Sequence, residues 1–314
     1  MSKLAFVFPG QGSQAVGMGK EFTEKDEACK HFMQQADEAL GFELSKFMLE
    51  GPQDELTLTY NAQPALLTVG AMIASRLERE GIIPDYSAGH SLGEYTALVE
   101  SKVLSFKDAV VAVHKRGLYM NEAVPAGKGA MAAILGMDRD VLESITQNIT
   151  ESGDPVQPAN LNCPGQIVIS GAKAGVDKAC IALKEAGAKR ALPLNVSGPF
   201  HSVLMQPAAG ELEKTLAAIE MKDAEIPVIA NVTADVVTEQ QEIKKLLVEQ
   251  LYSPVRWEES VEKLLELGVT RFVECGPGKV LSGLIRKIDR TATVYPVYDE
   301  ESLQKLLEEA KEWS

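Results

Sequence analysis

The feature that most constrains this chain is a short strand that runs directly into a glycine-rich turn and then a helix. Residues 85–88 predict the strand, Gly89-His90-Ser91-Leu92-Gly93 match the pattern Gly-x-Ser-x-Gly, and a helix is predicted from there to about residue 100. In such a turn the serine is held in a strained conformation with its hydroxyl exposed, and the glycines let the turn close. The pattern favours an α/β fold with Ser91 as a nucleophile; a capping serine at a helix start is the alternative.

A second apolar run, residues 4–8, ends at Pro9 and is typical of a strand buried on both faces. The loop after it, residues 10–15, satisfies the dinucleotide pattern Gly-x-Gly-x-x-Ala in form. However, the stretch where the ribose-binding acid of that motif should lie predicts a helix at residues 27–40. We therefore expect Gln11 in this loop to offer a backbone N–H to an oxyanion.

The middle of the chain has a different order of predicted helices and strands from the segments on either side of it. Residues 129–194 predict strand, helix, strand, strand, helix and strand, the order of a ferredoxin-like unit. The segments around residues 125–129 and 197–199 are rich in proline and glycine. We therefore expect a ferredoxin-like subdomain at residues 127–198, inserted into an α/β domain made of residues 1–126 and 199–314. Outside the insertion, the pattern predicts helices at residues 63–80, 105–122 and 202–221 and strands at 227–230, 271–274 and 293–297.

The charge balance excludes several classes of partner. The 314 residues include 31 Lys and Arg against 45 Asp and Glu, a net charge of −14 that opposes attraction to nucleic acid or anionic lipid. The apolar run at residues 4–8 is too short for a signal-peptide core, and no later run approaches the ~18 residues of a membrane span. The four cysteines form no metal-binding pattern and predict reduced thiols. We expect a cytoplasmic protein that uses no metal or other cofactor.

A serine nucleophile needs a base, and the chain has four histidines. His31 and His114 are predicted on solvated helix faces, and the side chain of His90 should point away from its neighbour Ser91. His201 lies where the chain returns from the predicted subdomain, and ligand clefts form at such junctions. We therefore expect His201 to be the general base, the alternative being a residue at a helix N-terminus. No acid follows in triad position, so a backbone carbonyl is expected to orient the imidazole.

Arg116 is predicted on the inward face of its helix. At about 100° per residue it falls opposite Lys107 and in the same sector as Val113 and Met120. A buried guanidinium without a partner is costly, so it must meet an anion. A structural salt bridge to a buried carboxylate and bidentate capture of a substrate carboxylate are the two alternatives.

Taken together, these motifs belong to one ordered set. The chain contains Phe8-Pro9-Gly10-Gln11-Gly12-Ser13-Gln14, Gly89-His90-Ser91-Leu92-Gly93-Glu94-Tyr95, Arg116, Gly198-Pro199-Phe200-His201-Ser202 and Gln250-Leu251-Tyr252-Ser253-Pro254-Val255-Arg256-Trp257. The set spans nearly the whole chain and resembles the malonyl-CoA:acyl carrier protein transacylases. Gly-x-Ser-x-Gly alone would also admit lipases, esterases and thioesterases.

The resemblance implies an α/β-hydrolase-like core with a parallel sheet and a ferredoxin-like subdomain. It implies that Ser91 is the nucleophile, that His201 is the base, and that the backbone N–H groups of Gln11 and Leu92 form the oxyanion hole. It also implies roles for residues around the substrate: Arg116 binds the malonyl carboxylate, the backbone carbonyl of Gln250 holds the imidazole, Gln63 lies near the cleft, and Asn160, Asn162 and Gln166 line it from the subdomain.

The implied activity is serine acyltransfer with ping-pong kinetics, from malonyl-CoA to the phosphopantetheine thiol of acyl carrier protein, in fatty acid biosynthesis. Because the carrier protein is acidic, a local basic cluster is expected to dock it, either Lys189 and Arg190 or Arg286, Lys287 and Arg290. Two other classes remain open. A serine hydrolase or thioesterase would release free acid, and a noncatalytic CoA-binding or carrier-binding protein would never be acylated. Tolerance for acetyl or methylmalonyl groups, a role in polyketide synthesis and the oligomeric state also stay open.

Overall fold

Ten strands form two separate sheets in a computed structural model, which describes residues 3–313. In chain order the strands are β1 Lys3–Phe8, β2 Tyr86–Gly89, β3 Gly129–Leu135, β4 Val156–Cys163, β5 Gln166–Ala172, β6 Arg190–Pro193, β7 Val228–Ile229, β8 Val236–Val237, β9 Val269–Cys275 and β10 Thr293–Val297. The fold is mixed α/β, as the sequence predicts.

The larger sheet has the strand order β10-β9-β1-β2-β7-β8, and only β7 and β8 pair in antiparallel fashion. The central strand β1 carries Ala5, Phe6, Val7 and Phe8, which are fully buried because helices cover both faces of a parallel sheet. In the register of β1 and β2, Phe8 pairs with Gly89. The loop after Phe8 and the turn that carries Ser91 therefore leave the same edge of the sheet.

Fourteen helices surround the sheets in the described part of the chain. In chain order they are α1 Lys20–Lys25, α2 Glu27–Leu40, α3 Leu44–Glu50, α4 Gln53–Thr57, α5 Thr59–Arg79, α6 Leu92–Glu100, α7 Phe106–Glu122, α8 Arg139–Glu151, α9 Lys173–Glu185, α10 Gln206–Ala217, α11 Gln240–Glu249, α12 Trp257–Glu266, α13 Val280–Ile288 and α14 Glu300–Ala310. A short 3₁₀ helix, Val203–Met205, precedes α10. Within residues 3–313, no helix combines the length and apolar character that a membrane span requires.

The smaller sheet has the antiparallel order β4-β5-β3-β6, and α8 and α9 pack on it around a hydrophobic cluster of their own. Its strand β4 also pairs with the larger part of the molecule through Val255. The N–H of Leu161 donates to the carbonyl of Val255 at 2.9 Å, and the N–H of Val255 donates to the carbonyl of Ala159 at 2.8 Å. These bonds join the two parts of the chain beside the cleft between them.

Helix α5 differs from its predicted bounds, because it begins at Thr59 and contains Pro64. Proline has no N–H to donate to the carbonyl of Tyr60, four residues before it. The Nδ1 atom of His114 lies 2.7 Å from that carbonyl oxygen and donates to it. The prediction that His114 is solvated is therefore wrong: its ring also contacts the rings of Phe42 and Tyr60.

The predicted helix at residues 202–221 is shorter than expected, since the 3₁₀ turn precedes it and it ends at Ala217. The strand predicted at residues 227–230 comprises Val228–Ile229 alone. The partner strand Val236–Val237 was missed, because two residues are too few to show a period.

Candidate active site

Ser91 occupies a strained turn between β2 and α6. Its φ of 51° and ψ of −108° lie in a region that non-glycine residues rarely adopt. The turn closes so tightly that a Cβ added to Gly89 would lie 1.9 Å from the backbone carbon of Gly93, and one on Gly93 would lie 2.0 Å from the carbonyl oxygen of Phe8. Only glycine fits at these two positions.

The side chains of Ser91 and His201 lie in direct contact. The Oγ atom of Ser91 is 2.8 Å from Nε2 of His201, and Nδ1 of His201 is 2.7 Å from the backbone carbonyl oxygen of Gln250. Because a carbonyl can only accept, Nδ1 carries the proton and Nε2 accepts from the serine hydroxyl. The carbonyl thus holds the imidazole in the tautomer that a general base requires.

Burial and, after it, the positive charge of Arg116 together lower the pKa of His201 to about 3. The imidazole is therefore neutral at physiological pH and available to accept a proton.

Arg116 projects from α7 into the same site and is only 1% exposed. Its Nη1 donates to Oε1 of Gln63 at 2.7 Å, and its Nη2 donates to Oε1 of Gln250 at 2.9 Å and to Oγ of Ser91 at 3.1 Å. Its guanidinium also lies over the ring of Tyr95. No carboxylate among residues 3–313 lies within 4.0 Å of it, so its partners are neutral and the structural salt bridge is not the arrangement adopted.

Asn231 supports the turn from the loop between β7 and β8, and the sequence analysis missed it. Its Oδ1 accepts from the N–H of Ser91 at 2.8 Å, and its Nδ2 donates to the carbonyl of Gly89 at 2.7 Å. The side chain therefore joins both sides of the turn. A lone asparagine in a loop gives no local pattern that would mark such a contact.

Glu94 was missed as well, although it lies in the first turn of α6. Its Oε2 accepts from the backbone N–H of Asn231 at 3.0 Å and from Nε2 of Gln250 at 2.7 Å. Burial raises the pKa of Glu94 to about 7. The position of Glu94, three residues after Ser91 on a helix that packs inward, is the one signal that could have identified it.

A cavity of about 270 Å³ opens in front of Ser91 between the two sheets. Seven of the residues expected at the site line it, together with residues from and beside the smaller sheet. The lining residues are Gln11, Gly12, Gln14, Thr57, Gln63, His90, Ser91, Leu92, Arg116, Met120, Met131, Asn160, Leu194, Asn195, Val196, Phe200 and His201. Gln250 lies behind the cavity, where its side chain contacts Arg116.

The two residues expected to supply oxyanion donors line the same cavity as Ser91. Leu92 is the first residue of α6, and N–H groups in a first helical turn have no partner within the helix. Gln11 lines the cavity from the loop after β1, and its side chain donates to Oγ1 of Thr59 at 3.2 Å.

The three residues expected to line the cleft from the smaller sheet occupy three different positions. Asn160 lines the cavity. The Oδ1 of Asn162 lies 2.9 Å from Nε2 of His90, so Asn162 supports the turn from behind. The expectation for Gln166 is wrong, because its Oε1 accepts from Nζ of Lys287 at 3.2 Å and it does not line the cavity. Gln166 is the first residue of β5 and lies at the end of this strand that points away from the cavity.

Comparison with known proteins gives consistent matches over nearly the whole chain. The acyl transferase domain family matches residues 5–309. A malonyl CoA-acyl carrier protein transacylase of Bacillus subtilis (strain 168) is 59% identical over 312 residues, which cover 99% of this chain and 98% of that protein.

Solved structures show the same similarity. An acyl carrier protein S-malonyltransferase of Vibrio cholerae superposes with a TM-score of 0.95 at 47% identity, covering 97% of this chain and 100% of that one. A malonyl-transacylase in complex with a type II PKS acyl-carrier protein gives a TM-score of 0.95 at 43% identity, covering 98% of this chain and 100% of the matched one.

Proposed function

Because this chain belongs to the acyl transferase domain family, we propose that it transfers the malonyl group of malonyl-CoA to the phosphopantetheine thiol of acyl carrier protein. The observation that carries the proposal is the guanidinium of Arg116, which is buried without a contacting carboxylate and lies 3.1 Å from the hydroxyl of Ser91. A buried cation beside a nucleophile suits an acyl group that ends in a carboxylate. The pathway that we assign is fatty acid biosynthesis.

For the architecture, we propose an α/β-hydrolase-like domain of residues 1–126 and 199–314 and a ferredoxin-like subdomain of residues 127–198. The strand-helix-strand-strand-helix-strand order with neighbours β4-β5-β3-β6 supports the subdomain, as does its separate hydrophobic cluster. The parallel strands β10, β9, β1, β2 and β7, with Ser91 at the end of β2, support the larger domain.

In the first half-reaction, Oγ of Ser91 attacks the thioester carbonyl of malonyl-CoA while Nε2 of His201 takes the hydroxyl proton. The backbone N–H groups of Gln11 and Leu92 bind the negative oxygen of the tetrahedral intermediate. When the carbon–sulfur bond breaks, His201 returns the proton to the sulfur of CoA, and the malonyl group remains on Ser91 as an ester.

In the second half-reaction, the carrier protein's thiol gives its proton to His201 and attacks the ester carbonyl. The bond to Oγ breaks, the proton returns to Ser91, and malonyl-carrier protein leaves. Arg116, held by Gln63 and Gln250, binds the malonyl carboxylate in both halves. The fixed pose of the ester disfavours attack by water, which gives transfer rather than hydrolysis.

These steps need only the chain's own nucleophile, base and hydrogen-bond donors, so we assign no cofactor. Malonyl-CoA and acyl carrier protein are the partners, and nucleic acid and membrane are not. We place the reaction in the cytoplasm.

The deciding experiment is intact-protein mass spectrometry after brief mixing with malonyl-CoA, with Ser91→Ala as the control. We expect a malonyl adduct on the wild type alone, which the thiol form of acyl carrier protein then discharges. Consumption of malonyl-CoA with steady release of malonate and no transfer would indicate a hydrolase instead. Neither adduct nor consumption would show that the substrate assignment is wrong.

A further inference from the structure

Glu94 contacts none of the groups that react, yet it holds two residues that do contact them. It is 2% exposed and does not line the cavity. A single oxygen, Oε2, accepts both the backbone N–H of Asn231 at 3.0 Å and Nε2 of Gln250 at 2.7 Å. These donors come from two segments far along the chain, so Glu94 joins both to the helix that begins at the nucleophile.

The acceptors around the NH₂ group of Gln250 fix which end of its amide faces Arg116. They are Oε2 of Glu94 at 2.7 Å, the backbone carbonyl oxygen of Ser91 at 3.1 Å and Oδ1 of Asn231 at 3.3 Å. With Nε2 donating to Glu94, Oε1 faces Nη2 of Arg116 and accepts at 2.9 Å. If the amide were reversed, its NH₂ group would face the guanidinium, donor against donor, and its oxygen would face the carboxylate of Glu94. Glu94 makes the shortest of these contacts and is the one charged acceptor among them, so it is the main group that selects the orientation in which Gln250 can hold Arg116.

The negative charge of Glu94 has a second effect on the same group. Within the buried site it favours the charged form of the guanidinium, which burial alone opposes. The carboxylate thus supports both the orientation and the charge of Arg116 without occupying the position where a substrate carboxylate would bind.

We propose that Glu94 is a positioning residue that sets the preference for malonyl over acetyl groups by fixing the Gln250 amide that holds Arg116. This inference rests on the proposed function, since it assumes that Arg116 binds the substrate carboxylate. Asn231, the second partner of Glu94, accepts from the N–H of Ser91, so part of any loss of rate falls equally on every acyl group.

The test is the ratio of initial acylation rates of Ser91 by malonyl-CoA and acetyl-CoA, measured by intact-protein mass spectrometry. A ratio is the suitable readout because an unfolded fraction lowers both rates alike and cancels. We expect Glu94→Ala to lower the malonyl-to-acetyl ratio by about tenfold or more, equivalent to ~1.4 kcal/mol. Glu94→Gln, whose Oε1 can accept both hydrogen bonds, should keep the ratio within about threefold of the wild type.

Glu100 provides the matched control, since it lies on the same helix, is 4% exposed and also has its pKa raised to about 7 by burial. It contacts none of the residues described above, so Glu100→Ala should leave the ratio unchanged. The inference is overturned if Glu94→Ala keeps the wild-type ratio, if Glu94→Gln falls as far as Glu94→Ala, or if Glu100→Ala lowers the ratio as much. Absence of a malonyl adduct on the wild type would instead reject the proposed function itself.

Discussion

Nη2 of Arg116 donates a hydrogen bond to Oγ of Ser91 at 3.1 Å, while Nε2 of His201 accepts from the same oxygen at 2.8 Å. The group that we propose as the carboxylate receptor is thus in contact with the proposed nucleophile. A hydrogen bond from a cation favours negative charge on the oxygen. Recognition of the substrate carboxylate and activation of the nucleophile are therefore coupled through one atom, Oγ of Ser91.

Arg116→Ala should lower the rate of malonyl acylation by about a hundredfold, because removal of one partner from a buried charge pair costs roughly 2–5 kcal/mol. Acetyl and longer groups, which have no carboxylate, should lose less. Stopped-flow or quenched acylation with both thioesters measures the difference. Lys115→Ala, an exposed neighbour on the same helix, is the control; equal losses for malonyl and acetyl groups in Arg116→Ala would contradict the assigned role.

The pH profile of kcat/KM should lack an acid limb near the ordinary histidine pKa of 6.5. Burial lowers the pKa of His201 to about 3, so the neutral base persists as the pH falls well below 6. The same shift affects the free energy of unfolding. Between about pH 3 and 6.5 the imidazole of His201 is protonated in the unfolded chain but neutral in the native state, so the native state loses stability as the pH falls through this range.

Initial acylation rates between pH 4.5 and 8 would test this. Glu94 also titrates in this range, because its pKa is about 7, so the profile of Glu94→Gln separates the two groups. A limb near pH 6.5 that persists in Glu94→Gln would show that His201 titrates normally.

Gly93→Ala should prevent formation of the native turn, since its Cβ would lie 2.0 Å from the carbonyl oxygen of Phe8. We expect a loss of roughly 3 kcal/mol or more in the free energy of unfolding, together with loss of acylation. Gly210→Ala is the matched substitution, because Gly210 lies in α10 with no atom within 4 Å of an added Cβ. It should stabilise the protein by up to about 1 kcal/mol in urea unfolding; the reverse order of the two effects would contradict the turn geometry.

Glu100→Gln should stabilise the protein more at high pH than at low pH. Burial raises the pKa of Glu100 to about 7, and its Oε1 has no hydrogen-bond partner. Because its pKa is raised, Glu100 stays protonated to a higher pH in the native state than in the unfolded chain. The stability of the wild type therefore falls as the pH rises from about 4.5 to 7.

The neutral amide of Glu100→Gln does not titrate, so the difference in free energy of unfolding should grow by up to about 3 kcal/mol between pH 4.5 and 8. Urea unfolding at the two pH values measures it. A difference that stays constant with pH would mean that Glu100 is solvated.

The structure favours one of the two basic clusters as the docking site for acyl carrier protein. Arg190 lies on the edge strand β6, and the segment that follows supplies Leu194 and Val196 to the active-site cavity. Arg286 and Arg290 line a different cavity, between α13, β10 and α14. Arg190→Glu should therefore slow transfer to the acidic carrier protein by about tenfold at low salt, without slowing acylation by malonyl-CoA.

Arg290→Glu makes the same charge change at the other cluster and should have little effect on transfer. The discharge of malonyl-enzyme by carrier protein, followed over time at two salt concentrations, distinguishes them. A larger effect of Arg290→Glu would assign docking to the second cluster.

Local sequence patterns predicted the parts of the site that lie on regular elements or in strained turns. The turn at Ser91 follows from its glycines, and the inward position of Arg116 follows from helical periodicity. Asn231 and Glu94 could not be found in this way, because their importance depends on which loops meet behind the turn. His114 was misplaced for a related reason: its partner is a backbone carbonyl freed by Pro64, on another helix.

The hydrogen bonds between Val255 and strand β4 have a consequence for the dynamics of turnover. Because main-chain pairing at Val255 joins the smaller sheet to the larger part of the molecule, we expect these bonds to resist opening of the cleft between them. We therefore expect that domain motion does not gate the reaction, in contrast to enzymes that close a lid over their substrate. A variant that accepts a bulkier acyl chain would therefore need a wider cavity, obtained by substituting lining side chains such as Met131 and Leu194.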